Sequence, residues 1–378
     1  MKKILLFILL LFPIFVNAEE DLTPNAKSSI LMEYTTGKIL YSKNIDEKLA
    51  PASMTKIMTL LLIMEALDDG KLNLNDIIPI SSNASSMGGS QVYLDPNIQM
   101  KAEDLIKSVA IASANDSAVA LAEAISGTTS AFVSRMNEKA KELGCTNTHF
   151  KNVHGLDDKE HYSTAKDMAL IAKELLKYED ILKYTSTYES YLNKPNGTSI
   201  WMVNTNKLIK YYTGLDGLKT GYTKTAGYCL TSTAKRNEMR LITVIMNEPT
   251  SQIRNSETIN LLNYGFSNYK LKTILTTNQK LGTINIQNGK KEYVDIVLQE
   301  NATNLEKIND QKEYSFNIKT NKIKAPIKKG NKVGTLELTE NGKIIKKINI
   351  TVKEDIPKAN IWDLYKRNFK LLISGSIH

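Results

Sequence analysis

Cysteine is scarce: Cys145 and Cys229 are the only two in 378 residues. Two thiols cannot build a disulfide framework; they can pair or stand as isolated buried thiols, and the sequence leaves both open. Histidine is also scarce, with four residues. His154 and His161 bracket Asp157, Asp158 and Glu160, but that spacing matches no common zinc motif. A loop facing a cleft explains the cluster better, so neither a metal nor another cofactor is expected. After residue 16 no run is long and apolar enough to span a bilayer. Interleaved arginine and aromatic residues are missing, as is any zinc-knuckle spacing, so nucleic acid is not an expected partner. The net charge of +9 comes mostly from lysine and suits an anionic wall polymer or lipid surface.

What is present begins at the N-terminus. Lys2 and Lys3 precede the apolar run Ile4–Val16, and Val16-Asn17-Ala18 supplies small residues at signal-peptidase spacing. Residues 1–18 therefore read as a secretory signal cleaved after Ala18, and the chain is expected to be exported. The remaining composition, 42% hydrophobic and 24% charged, is that of an ordinary globular protein.

Ser29–Tyr34 and Lys38–Ser42 flank Thr35-Thr36-Gly37 and predict a β-hairpin. Pro51-Ala52-Ser53 opens a long helix, Met54–Leu67, whose apolar residues nearly surround its axis, so it should lie inside a domain. Helical patterns follow over Ala102–Ala114, Asp116–Ile125, Thr129–Leu143 and Thr164–Lys177. Gly227–Ala234 and Leu241–Met246 read as adjacent strands turning at Asn237, and Asn255–Phe266 as a helix. Strands at both ends with helices between imply a mixed α/β domain whose sheet is assembled from distant segments. Beyond about residue 272, short β-like runs (Lys280–Ile286, Val294–Leu298, Tyr314–Lys319, Lys332–Leu338, Ile344–Val352) predict a small all-β domain. Ala359–Ile373 then forms an amphipathic helix, with Ile361, Trp362, Leu364, Tyr365 and Phe369 on its apolar face and Lys366, Arg367 and Lys370 opposite. An aromatic apolar face backed by a basic one suits a helix lying in a membrane interface rather than one packed on the β-domain.

Three short motifs carry chemistry. Ser53-Met54-Thr55-Lys56 places a hydroxyl and an amine on one face of a helical turn. A serine is a poor nucleophile until a base takes its proton, and a lysine can be that base if burial or nearby positive charge keeps it neutral. The spacing recurs at Ser163–Lys166 and Ser267–Lys270, but only the first copy opens a long apolar helix. Ser113-Ala114-Asn115 lies between two helices, where an ordinary cap is the bland alternative. Lys219-Thr220-Gly221 occurs once: Lys219 would raise the positive potential, Thr220 could bond a substrate carboxylate, and Gly221 would let a peptide lie close to the strand. Ser85–Ser90 reads more readily as a surface turn than as a loop over the cleft.

Ser-x-x-Lys, Ser-Asp-Asn and Lys-Thr-Gly in this order are the signature of penicillin-binding proteins and class A β-lactamases. The alanine of Ser113-Ala114-Asn115, in place of aspartate, argues against a class A enzyme. Pro51–Lys56, Ser113–Ser117, His161–Thr164, Asp216–Thr223 and Ala226–Tyr228 closely resemble the low-molecular-weight penicillin-binding proteins of the serine-type D-alanyl-D-alanine carboxypeptidase family (peptidase S11). The resemblance is strong over residues 25–270 and looser over the β-rich region and tail.

It implies an α/β (α+β) penicillin-binding/β-lactamase-like transpeptidase domain over residues 22–272, a β-rich domain over 273–355 and a membrane-associating helix over 356–378. It also implies roles. Ser53 would attack the bond between two terminal D-alanines of a peptidoglycan stem peptide, Lys56 would be the general base, and Ser113 would relay a proton to the leaving amine. Asn115 would hold Lys56 and the substrate amide. The N–H groups of Ser53 and Tyr222 would form an oxyanion hole, and Lys219 and Thr220, beside Gly221, would recognise the terminal carboxylate. Arg254 is a weaker candidate for that last task. β-Lactams would acylate Ser53, and the outer face of the cytoplasmic membrane would be a partner through the C-terminal helix. A diffusible β-lactamase has no need of the β-domain and tail, and a non-catalytic wall binder would be expected to lose at least one motif; all three are intact.

Overall fold

The computed structural model describes residues 21–277, 279–310 and 312–373. The expected signal segment, residues 1–18, and the last five residues of the tail lie outside the described residues. Strands β1 (Ser28–Glu33) and β2 (Ile39–Lys43) form the expected antiparallel hairpin. Three later strands, β3 (Leu215–Thr223), β4 (Gly227–Arg236) and β5 (Met239–Glu248), complete a five-stranded sheet in the order β2-β1-β5-β4-β3. Some 170 residues, whose regular structure is chiefly helical, therefore separate β2 from β3, which form the two edges of one sheet.

Both faces of this sheet are covered. Ile30, Met32, Ile242, Val244 and Met246 turn toward one core, while Leu31, Leu241 and Ile245 turn toward another. The period of two along each strand sends alternate side chains to opposite faces. The first core holds helices α1 (Lys56–Asp68), α2 (Ala102–Ile111), α3 (Asn115–Ser126) and α4 (Ala165–Leu175). The second is closed by α5 (Ser251–Asn268) through Leu261 and Leu262. Helix α1 is buried on nearly every side from Lys56 to Met64, as its all-round apolar pattern predicts.

Several boundaries differ from the sequence reading. The first turn of the expected Met54–Leu67 helix is a 3-10 turn over Ala52–Thr55. The expected Ala102–Ala114 helix stops at Ile111, because Ser113 adopts a left-handed backbone with φ 64°. Lys219-Thr220-Gly221 precedes the strand pair β4–β5 and itself lies within a further strand, β3, which the sequence pattern does not reveal.

The C-terminal region is β-rich, as expected. A six-stranded sheet encloses a core of Ile296, Leu336, Leu338, Ile348 and Ile350. The strand Tyr269–Leu275 follows α5 directly and pairs with Ala302–Lys307. The expected boundary at residue 272 thus falls inside a strand: period-two alternation continues through Tyr-Lys-Leu-Lys-Thr-Ile-Leu without a linker. A final helix, α6 (Ile361–Ile373), follows. Among the described residues no helix is long and apolar enough to cross a membrane.

Candidate active site

The site forms where the start of α1 meets the edge strand β3. Pro51 pre-sets the backbone of the turn, and Ala52 takes the left-handed region at φ 47°, which an L-residue occupies only under external constraint. The constraint is visible across the contact. A Cβ on Gly155, itself at φ +90°, would lie 1.8 Å from the Ala52 carbonyl oxygen, so only glycine fits there. On the other side, a Cβ on Gly221 would lie 2.8 Å from the Pro51 carbonyl oxygen and 3.1 Å from the Ala52 Cβ. Gly221 is therefore required first by the chain's own close approach, which seats the nucleophile turn against β3.

Lys56 opens α1 and is fully buried. Its Nζ lies 3.1 Å from Ser53 Oγ, 2.6 Å from Asn115 Oδ1 and 2.7 Å from the His154 carbonyl oxygen. Burial, then the charge of Lys219, holds its pKa well below the usual lysine value. A neutral amine has two hydrogens and one lone pair. The Asn115 and His154 oxygens are pure acceptors and take the hydrogens, which leaves the lone pair for the Ser53 hydroxyl proton. That is the arrangement a general base needs.

Ser113 and Asn115 enter through the α2–α3 junction. The left-handed turn at Ser113 puts its hydroxyl on the cleft wall, where Oγ is buried and lacks a hydrogen-bond partner among the described residues. A buried hydroxyl without a partner is costly, and here it faces the space a substrate would fill. Asn115 Nδ2 donates to the Gly88 carbonyl at 2.6 Å, and Ser90 lines the cleft. The Ser85–Ser90 segment thus reaches the cleft wall at Ser90, while Ser86, Gly88 and Gly89 are exposed, as the surface turn favoured from sequence requires. The Asn115 N–H donates to the Ser90 carbonyl at 2.7 Å, and just beyond the segment Asp116 accepts backbone N–H bonds from Val92 and Leu94 at 3.1 Å each.

On β3, Lys219 is 1% exposed and Thr220 7%. Thr220 Oγ1 donates to Thr205 Oγ1 at 2.7 Å, and Lys219 Nζ donates to the Thr220 carbonyl at 3.2 Å. Burial and the nearby Arg254 push the Lys219 pKa down to about 7. Arg254, on the first turn of α5, donates to Asn255 Oδ1 at 2.8 Å. Ser53, Ser113, Thr205, Thr220, Tyr222 and Arg254 border one cleft of about 390 Å³. Tyr222 packs its ring against Tyr228 at a 34° tilt, with centroids 4.4 Å apart. As an edge strand, β3 has an unpaired side from which backbone N–H and C=O groups can meet an extended peptide.

His161 braces the turn from behind. Lys151 N–H donates to His161 Nδ1 at 3.0 Å, so the ring proton sits on Nε2 and is donated to Thr55 Oγ1, 2.7 Å away. Thr55 in turn donates to the Ala52 carbonyl at 2.8 Å. Burial lowers the His161 pKa to about 4 and that of His154 to about 3, so both rings are neutral near pH 7. Cys145 and Cys229 are buried free thiols.

All nine residues singled out in the sequence come together: Ser53, Lys56 and Asn115 through direct hydrogen bonds, Ser113, Thr220, Gly221, Tyr222 and Arg254 on the cleft wall, and Lys219 bonded behind Thr220. Sequence reasoning missed Thr205, Gly155 and the His154 carbonyl. Asn204-Thr205-Asn206 carries a faint signal, since paired amides can satisfy a buried loop. Gly155 carries none, because its reason, Ala52, lies 103 residues away.

A lysine-activated serine beside a cationic, hydroxyl-lined pocket on a β-strand edge defines a serine acyl-transfer hydrolase for substrates ending in a carboxylate. Comparison with known proteins narrows the class. The D-alanyl-D-alanine carboxypeptidase family model (peptidase S11) matches residues 15–250, and the C-terminal domain model of penicillin-binding protein 5 matches residues 269–358. D-alanyl-D-alanine carboxypeptidase DacF of Bacillus subtilis (strain 168) is 47% identical over 351 residues, covering 92% of this chain and 90% of that protein. The crystal structure of penicillin-binding protein 5 from Haemophilus influenzae superposes with a TM-score of 0.72 at 33% identity, over 88% of this chain and 98% of that one. Penicillin-binding protein D2 from Listeria monocytogenes, solved with ampicillin bound, gives a TM-score of 0.58 at 31% identity, over 64% and 98%. The chain belongs to the peptidase S11 family of D-alanyl-D-alanine carboxypeptidases.

Proposed function

We propose that this carboxypeptidase removes the terminal D-alanine from peptidoglycan stem pentapeptides through an acyl-enzyme on Ser53. The observation that carries the reading is the buried Lys56 amine, held by two carbonyl acceptors with its remaining direction on Ser53 Oγ. Ser53 passes its proton to Lys56 Nζ as Oγ attacks the carbonyl between the two D-alanines. The Ser53 and Tyr222 N–H groups hold the oxyanion. The C–N bond then breaks, and Ser113 relays the proton from Lys56 to the departing amine. Water hydrolyses the ester and frees the serine. Asn115 orients Lys56 and the substrate amide; Lys219, Thr220 and Arg254 take the terminal carboxylate. A β-lactam presents the same carbonyl and carboxylate and acylates Ser53, with slow release.

The test is labelled penicillin together with D-alanine release from a synthetic pentapeptide. Wild type should label and release D-alanine, and Ser53→Ala should do neither. Equal labelling of both proteins removes Ser53 from the mechanism.

Action on peptidoglycan places the protein outside the cytoplasm. We further propose that α6 holds it to the outer face of the cytoplasmic membrane, with the catalytic unit over residues 22–272, the β-rich unit over 273–355 and the tail over 356–378. Arg367 ties the helix to the β-rich unit, pairing with Glu292 at 2.9 Å and donating to the Gly289 carbonyl at 2.7 Å. Ile361, Trp362, Tyr365 and Phe369 remain 84%, 69%, 59% and 52% exposed, an aromatic face of the kind that enters lipid headgroups. Deleting residues 360–378 should move the protein from the membrane fraction to the soluble one; unchanged fractionation counts against the anchor.

A further inference from the structure

We propose that Asn255 is a positioning residue that makes the cleft selective for a free C-terminal carboxylate, by gripping the Arg254 guanidinium with a neutral oxygen that fixes its direction and leaves its charge intact. This rests on the carboxylate reading above and adds the device that aims one of its cations.

Arg254 stands on the first turn of α5, where the Thr250 hydroxyl caps the helix by accepting the Ile253 N–H at 3.2 Å. The residue is 5% exposed, yet it borders the cleft together with Asn255. Asn255 Oδ1 accepts from Arg254 Nε at 3.2 Å and from Nη2 at 2.8 Å. Two bonds from one planar group to one oxygen restrict its rotation. A guanidinium carries five N–H groups. Among the described residues these two bonds are the only ones its side chain makes to a protein acceptor. The remaining N–H groups are left for an anion that enters the cleft.

A buried arginine is ordinarily braced by a carboxylate in a two-pronged ion pair. Arg240 shows that arrangement in this same molecule, with Nη1 and Nη2 donating to the two oxygens of Asp216 at 2.8 Å each. Arg254 has no such partner among the described residues, and two acids in its neighbourhood do not supply one. Glu257 is taken up by the N-terminal segment, accepting the Asn25 N–H at 3.0 Å, Asn25 Nδ2 at 2.7 Å and the Ala26 N–H at 3.3 Å. Glu248 is buried, and burial together with neighbouring Glu257 pushes its pKa up to about 9. It is therefore neutral near pH 7, whereas Arg254, lowered by burial to about 10, stays protonated.

The positive charge on this wall is thus left for the substrate to balance. Lys219 feels it, since Arg254 is one cause of its lowered pKa. An amide oxygen at position 255 serves both needs of the site. A carboxylate there would hold the guanidinium equally well but neutralise it, and an alkyl group would leave the charge unaimed.

The experiment measures the ratio of kcat/KM for a pentapeptide to that for its C-terminal amide. Asn255→Asp should lower this ratio about tenfold, chiefly through a higher KM for the free acid, because the new carboxylate pairs with Arg254. Asn255→Ala should lower it about threefold through loss of the two aiming bonds. In an Arg254→Ala background Asn255→Ala should change the ratio no further, since the residue acts through the guanidinium. Circular dichroism and thermal melting check that each variant folds, and the alanine pair carries the test if the aspartate variant does not. A ratio unchanged in folded variants overturns the proposal. So does an equal fall on both substrates, or an Asn255→Ala effect that persists without Arg254. A wild type that cleaves acid and amide equally would instead strike the carboxylate reading itself.

Discussion

Lysine performs opposite tasks in the two halves of this molecule. In the catalytic unit Lys56 and Lys219 are 0% and 1% exposed, and burial drives both toward the neutral amine. In the β-rich unit Lys319 and Lys347 keep side chains 63% and 62% exposed and share Glu337 at 2.7 and 3.3 Å. The side chain is the same, and water decides its chemistry. A solvated ammonium pays little to stay charged and contributes little beyond solubility. A buried one must find anions or lose its proton, and around Lys56 the nearest partners are carbonyls and a hydroxyl. The apolar helix that carries Lys56 is therefore part of its mechanism.

The sharpest way to break this contrast is to remove the buried amine. Lys56→Ala should cut acylation by penicillin and by pentapeptide about a thousandfold, with the fold retained by circular dichroism. Loss under tenfold would mean another group takes the Ser53 proton.

A smaller effect should appear in the pH profile. Lys219 attracts the substrate carboxylate only while protonated, and its pKa is about 7. kcat/KM for the pentapeptide should therefore fall as pH rises through about 7, by roughly tenfold at pH 8. A substrate with an amidated C-terminus should lack that fall. Identical profiles for the two substrates would take Lys219 out of carboxylate recognition. The smallest effect belongs to the surface: Lys347→Ala should leave kinetics unchanged and move Tm by no more than about 2 °C. A large loss there would mean that solvated lysines in the β-rich unit carry structural weight after all.

How much was legible depended on how local each cause was. The burial of α1 was readable because an all-round apolar pattern has no solvent face to offer. The N-terminal hairpin and the β4–β5 turn at Asn237 were readable because alternation and turn residues are short-range signals. Strand β3 was not recognised as a strand: Leu215–Thr223 carries two glycines and two buried polar side chains, so its pattern resembles a loop. The hairpin Glu189–Asn193/Ser199–Val203 was missed because each strand buries a single side chain, Leu192 or Met202, too little to set an alternation. The Ser85–Ser90 segment reads as a solvated turn and is largely exposed, and only the bonds of Gly88 and Ser90 to Asn115 bring its end to the cleft wall.

The sequence by itself determined the reactive groups and their order, because a hydroxyl and an amine three residues apart on one turn are neighbours in any helix that forms. It also determined that this helix would be inside. Tertiary structure alone decided the protonation chemistry and the fit of the turn. The Lys56 proton is controlled by Lys219 and by carbonyls from Asn115 and His154, and the Ala52 backbone is confined by Gly155 and Gly221. Those partners come from chain segments 59 to 169 residues distant, and electric fields and steric contacts act through space, where sequence separation has no meaning.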